Sequence, residues 1–169
     1  MMKRITILGV GNILLTDEGV GVRVIEELNQ NFNFPANVEL YDGGTGGMSL
    51  LAIIEKTEQL MVIDAVLVGE APGTIVKFNF DALPAGLTRK LSSHEIDVIE
   101  VLHIAEVLGK RPPTVFIGIQ PQNISSYGTE LIIEEYIPKL IEVIIEELKS
   151  FGIEVTSKHN NALTRCISI

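Results

Sequence analysis

The apolar residues of the chain recur in two rhythms. Residues 4–10 (RITILGV) and 59–66 (QLMVIDAV) are continuous apolar runs of strand length. That is the pattern of a strand covered on both faces, as in a parallel sheet. Residues 37–44 (NVELYDGG) and 114–121 (TVFIGIQP) read as further strands, the first running into glycines. Between these runs the period changes. In 18–32 (EGVGVRVIEELNQNF), Val20, Val24 and Leu28 share one helical face. Residues 46–57 (GGMSLLAIIEKT) form a second helical stretch. Residues 92–109 form a third, with Ser92 and Glu95 spaced as a capping box and Gly109 as a stop. The last, 128–152, is long and is expected to bend or break at Pro138.

Strands alternating with helices predict a single-domain α/β fold. Its form is a three-layer α/β/α sandwich around a mostly parallel twisted sheet of about five strands. Residues 69–80 (GEAPGTIVKFNF) give a tight turn and then a strand, predicting one antiparallel strand at an edge. The domain is expected to span 1–154, leaving 155–169 as a flexible polar tail.

Length and composition fit this picture and narrow the function. A chain of 169 residues with 46% hydrophobic content suits one domain with a sizeable core. The formal net charge of −9 argues against binding nucleic acid or an anionic membrane, since both need a basic face. A single cysteine, Cys166, excludes a disulfide framework and a cysteine metal cluster within one chain, and fits a reducing cytoplasm. The start resembles a signal peptide, but no small-residue cleavage site follows, and Asp17 and Glu18 come next. No apolar run reaches the roughly 18 residues that span a bilayer. The exposed pattern gives no oligomer signal, so a monomer is expected.

In open α/β sheets, ligands bind beyond the carboxyl ends of the strands. That rule selects Asn12, Asp17 and Glu18 after the first strand, Asp42 to Thr45 after the second, and Asp64 on the third. His94 and Gln120 complete the set. Each also has an ordinary role. Asp17 suits a helix cap, Glu18 a first helical turn, and Asp42 a turn start. Asp64 is harder to dismiss, because a carboxylate inside an apolar strand is costly to bury unpaired. With Ser92 as cap, His94 falls near the second helical position, where the helix dipole favours a neutral ring able to bind metal. His103, in mid-helix, and His159, in the tail, read as non-functional.

The glycines of 9–21 (GVGNILLTDEGVG) raise the alternative of a phosphate loop. The dinucleotide pattern G-x-G-x-x-G fails at its third glycine, where Leu14 stands, and no Walker A sequence exists. Two carboxylates would also repel a polyphosphate. One imidazole and two carboxylates with an open position instead make a metal-contact set, supplied here by Glu18, Asp64 and His94.

These motifs resemble a known family. Residues 9–24 (GVGNILLTDEGVGVRV), 42–47 (DGGTGG), 62–66 (VIDAV) and 92–102 (SSHEIDVIEVL) are similar in order and spacing to the [NiFe]-hydrogenase maturation endopeptidases. The resemblance covers roughly residues 3–152. It implies an enzyme that removes a C-terminal extension from the hydrogenase large-subunit precursor after nickel insertion. It implies Glu18, Asp64 and His94 as metal contacts, the metal being nickel carried by the substrate. It adds Asp42 as a further functional aspartate, acting as base or positioning the peptide. A different class remains open: a non-catalytic, nickel-dependent chaperone or precursor-binding module with the same acidic site. A nucleotide-dependent α/β enzyme is the third reading.

Overall fold

The computed structural model describes residues 3–83, 87 and 97–158. In chain order the elements are β1 (Ile5–Val10), α1 (Val20–Asn31), β2 (Phe32–Asn33), β3 (Val38–Gly44), α2 (Leu51–Ile54), β4 (Gln59–Ala65) and β5 (Ile75–Asn79). They continue with α3 (Val98–Val107), β6 (Thr114–Ile119), α4 (Ile137–Ser150) and β7 (Thr156–Ser157). Five strands form the main sheet in the order β3-β1-β4-β6-β5. β1 pairs in parallel with β3 and β4, and β4 with β6. β5 closes one edge antiparallel. Its partner is β6, so the turn after β4 carries the chain past a neighbouring strand rather than into a hairpin with β4.

Strand alternation divides the core into two layers. Ile5 and Ile7 of β1, Met61 and Ile63 of β4, and Ile117 of β6 face α1 and α4, where Val24, Leu28, Leu140 and Ile144 are buried. Leu8, Leu60, Val62 and Phe116 face α2 and α3, where Ile54, Val101 and Leu102 are buried. The helices cover both faces, as a parallel sheet requires. Among the described residues, no helix is long and apolar enough to cross a membrane.

Two glycines allow α1 to lie directly on the strands. A Cβ on Gly21 would run into the carbonyl oxygens of Ile63 and Val10, and would come within 2.8 Å of Val10 N. A Cβ on Gly9 would meet the Gly21 carbonyl oxygen. Gly9 and Gly21 of the first motif thus serve close helix–strand contact.

Helix boundaries differ from the sequence expectation in three places, the first being 46–57, which is a 3₁₀ turn (Gly47–Leu50) followed by only the four residues of α2. α3 starts at Val98, and Asp97, in extended conformation, caps it by accepting from Ile99 N at 3.2 Å. The expected capping box of Ser92 and Glu95 lies outside the described residues. α4 starts at Ile137, with Pro138 in its first turn. Pro138 therefore opens the helix, where its missing N–H costs nothing, and does not kink one. Gly109, at φ +68°, ends α3 as expected. A small sheet was not expected: Thr156 and Ser157 pair antiparallel with Asn33 and Phe32.

Residues 128–133 are not helical because their backbone is engaged elsewhere. Gly128 bridges to Leu15, and its N–H donates to Leu14 O at 2.9 Å. The N–H groups of Ile132 and Ile133 donate to Asp17 Oδ1 at 2.7 and 3.1 Å. Asp17 Oδ2 accepts from Gln122 N and Asn123 N at 2.9 and 3.0 Å. Asp17 is fully buried, and its charge is met by four backbone donors. The segment 121–133 is thus a strap tied to the turn after β1.

Gly21→Ala should lower stability by about 3 kcal/mol through overpacking against strand backbone, measured by urea unfolding. Asp17→Ala strands buried donors and should cost about 3 kcal/mol or more. Amide exchange in that variant should rise first at Gln122, Asn123, Ile132 and Ile133.

Candidate functional site

The carboxyl ends of β1, β3, β4 and β6 form one rim. β1 leaves it through Gly11, at φ +133°, whose missing Cβ makes room for the Glu18 carbonyl. The exit is a compact turn. Asn12 Oδ1 accepts from Leu14 N at 3.0 Å, Asn12 O from Leu15 N at 3.1 Å, and Leu15 O from Glu18 N at 3.0 Å. Thr16–Gly19 then make one 3₁₀ turn that runs into α1. Glu18 is half-buried in this turn, at the amino end of the helical segment, where the dipole favours a carboxylate.

Thr16 opens the turn at φ +46°. A β-branched residue in the left-handed region costs about 1–3 kcal/mol and persists only where its surroundings dictate it. Here the strap does so. Thr16 N donates to Gly128 O at 2.8 Å, and its hydroxyl donates to Asn123 O at 2.7 Å.

Asp64 is the penultimate residue of β4, one strand over from β1, and is 8% exposed. Alternation puts it on the α3 face with Leu60 and Val62. Its neighbour across the sheet is Gly118 of β6. Gln120, past the end of β6, accepts from Val68 N and Gly69 N at 2.9 and 3.2 Å. It braces the loop that follows Asp64.

Asp42 lies beside Gly9 in the β1–β3 register, on the α1 face. It is exposed, and its Oδ1 accepts from Gly44 N at 2.9 Å. This is the turn role its sequence suggests, made possible by Gly44 at φ +45°. Asp42 and Asp64 therefore project from opposite faces of the sheet at the same rim.

Asp17 is not a helix cap, because its carboxylate accepts from the strap and the turn has no side-chain cap. His94 lies outside the described residues. In sequence it precedes the α3 cap, Asp97, by three positions. His103 stacks edge-on against Phe80 at 4.9 Å and lies 3.7 Å from Glu106, a packing role. His159 and Cys166 lie outside the described residues. Among the described residues, no three His, Cys, Asp or Glu side chains form a metal-binding group. Glu18 and Asp64 are two of the three expected contacts.

The strap itself was missed by sequence reasoning. Its signal was present in 121–128 (PQNISSYG), a cluster of turn-forming residues. Asn123 Oδ1 accepts from Ser125 N and Ser126 N at 2.9 and 3.1 Å, which fixes that turn.

Known proteins share this fold. A family model described as hydrogenase maturation protease (HycI) matches residues 22–147. The hydrogenase 2 maturation protease of Escherichia coli is 36% identical over 154 residues, covering 89% of this chain and 94% of that protein. The hydrogenase expression/formation protein HupD of Rhodobacter capsulatus is 40% identical over 158 residues, covering 91% and 75%. Among solved structures, the E. coli hydrogenase maturating endopeptidase HybD superposes with TM-score 0.84 at 35% identity, covering 93% of this chain and 99% of that one. HybD from Thermococcus kodakarensis gives 0.67 at 28% identity, covering 86% and 98%. With a family model across most of its length and close relatives end to end, the chain belongs to the hydrogenase maturation protease family.

Proposed function

We propose that this protein is an endopeptidase that removes the C-terminal extension of a [NiFe]-hydrogenase large-subunit precursor once nickel has been inserted. The observation that carries this reading is that Glu18, in the turn after β1, and Asp64, near the end of β4, belong to neighbouring parallel strands at the carboxyl rim, where open α/β sheets bind ligands. His94 is the third contact in the proposal.

Nickel is part of the substrate here. Glu18, Asp64 and His94 offer two carboxylates and an imidazole, donors suited to a divalent first-row metal. By completing the coordination of nickel already seated in the precursor, they dock the precursor's C-terminus at the rim. A precursor without nickel lacks that contact and binds weakly, so metal insertion gates cleavage. Hydrolysis adds water across one peptide bond, hydroxyl to the carbonyl carbon and proton to the departing amine. Nickel next to the scissile bond polarises its carbonyl or activates the water. Asp42, exposed at the adjacent strand end, serves as base or positions the peptide. The exposed carboxylates and the net charge of −9 suit a metal-bearing protein partner better than nucleic acid.

Mixing the purified protein with nickel-loaded precursor should produce a mass loss at the precursor's C-terminus. A complex that forms without mass loss would instead favour a precursor-binding chaperone. Glu18→Ala and His94→Ala should each slow processing at least about a hundredfold, because the reacting groups are no longer held in place, with melting temperatures close to wild type. Normal cleavage by either variant removes that residue from the contact set.

A further inference from the structure

The turn that carries Glu18 does not hold its own shape. It has no side-chain cap, and its first residue, Thr16, is in a left-handed conformation. The backbone N–H groups that open it are satisfied from outside: Thr16 N donates to Gly128 O at 2.8 Å and Asp17 N to Asn123 O at 3.2 Å. The Thr16 hydroxyl bonds the same Asn123 carbonyl at 2.7 Å. In return, the Asp17 carboxylate gathers N–H groups from both ends of the strap, Gln122 and Asn123 at one and Ile132 and Ile133 at the other. On the opposite side, the Glu18 carbonyl lies in the space left by Gly11. The backbone of Glu18 is therefore gripped between the β1 exit and a segment more than 100 residues away in sequence.

We infer that Asp17 is a positioning residue for the reaction: its buried carboxylate locks the strap 121–133 onto the 3₁₀ turn and thereby aims Glu18 at the substrate's metal. This rests on the reading of Glu18 as a metal contact. Asp17 touches neither substrate nor metal. It acts through Thr16 and the strap, and a loosened strap lets Thr16 leave its left-handed conformation and carries Glu18 out of line. Small misplacement of a reacting group has large kinetic consequences, on the order of a hundredfold for about 1 Å.

The test uses the full chain and nickel-loaded precursor, with kinetics taken well below the melting midpoint of every variant. Asp17→Asn keeps the shape but turns an NH2 group towards one pair of backbone donors. Thr16→Ala removes one hydroxyl bond from the same clamp and is the milder variant should Asp17→Asn not fold. Glu18→Gln is run alongside. The expected result is a kcat/KM at least about tenfold lower in Asp17→Asn and reduced in Thr16→Ala, with the binding preference for nickel-loaded over nickel-free precursor falling in step. Amide exchange should quicken at 16–19 and 122–133 only. A wild-type kcat/KM in a folded Asp17→Asn or Thr16→Ala chain, or an undiminished binding preference for nickel-loaded precursor, overturns the positioning role. Wild-type cleavage by Glu18→Gln overturns the metal-contact reading itself, a failure distinct from that of the clamp.

Discussion

One buried carboxylate organises the end of the molecule where chemistry is expected. Asp17 is fully enclosed, and an unpaired charge there would be prohibitive. It is tolerated because four backbone N–H groups from one distant segment converge on it. Charge-assisted bonds of this kind are stronger than those between neutral groups. Their effect is topological as well as energetic. They turn a loop rich in Ser, Asn and Gly into a fixed strap, set where α4 begins, and support a backbone conformation that Thr16 would not adopt alone. Glu18 follows directly, so its position is a consequence of that network.

The glycines of the first motif serve the same end from the other side. Gly9 and Gly21 bring α1 onto the backbone of β1 and β4, and Gly11 clears space for the Glu18 carbonyl. The rim is thus compact at β1 and β4, with Gln120 bracing the loop after Asp64. The proposed contacts, Glu18 and Asp64, act together only if they are held to fractions of an ångström. The hydrogen bonds at Asp17, Asn12 and Gln120 are how this chain holds them. The chain belongs to the hydrogenase maturation protease family, and on the function proposed above that rigidity keeps the site ready for nickel carried by another protein.

The layered fold was legible because buried parallel strands leave continuous apolar runs, and the antiparallel edge because Gly-Glu-Ala-Pro-Gly allows only a short reversal. The pairing of β5 with β6 rather than β4 was not legible, since strand order depends on contacts distant in sequence. At the site, Asp64 stood out from local pattern as a carboxylate inside an apolar strand, whereas Glu18 was singled out by the rim rule and the family resemblance. The role of Asp17 did not stand out, because its partners lie more than 100 residues away. The helix expected from 128 failed for the same reason: the periodicity of 131–137 is real, but the N–H groups of Ile132 and Ile133 are claimed by Asp17. The start of α3 moved because Asp97 caps it locally, where the pattern at Ser92 and Glu95 suggested an earlier cap.

The central claim is that Glu18, Asp64 and His94 converge on one metal ion at this rim. A crystal structure of the protein soaked with a divalent nickel salt tests it most directly. The account predicts a single strong anomalous peak coordinated by all three side chains, with a coordination position left open to solvent. Nickel bound elsewhere, with Glu18, Asp64 and His94 directed apart, would contradict it.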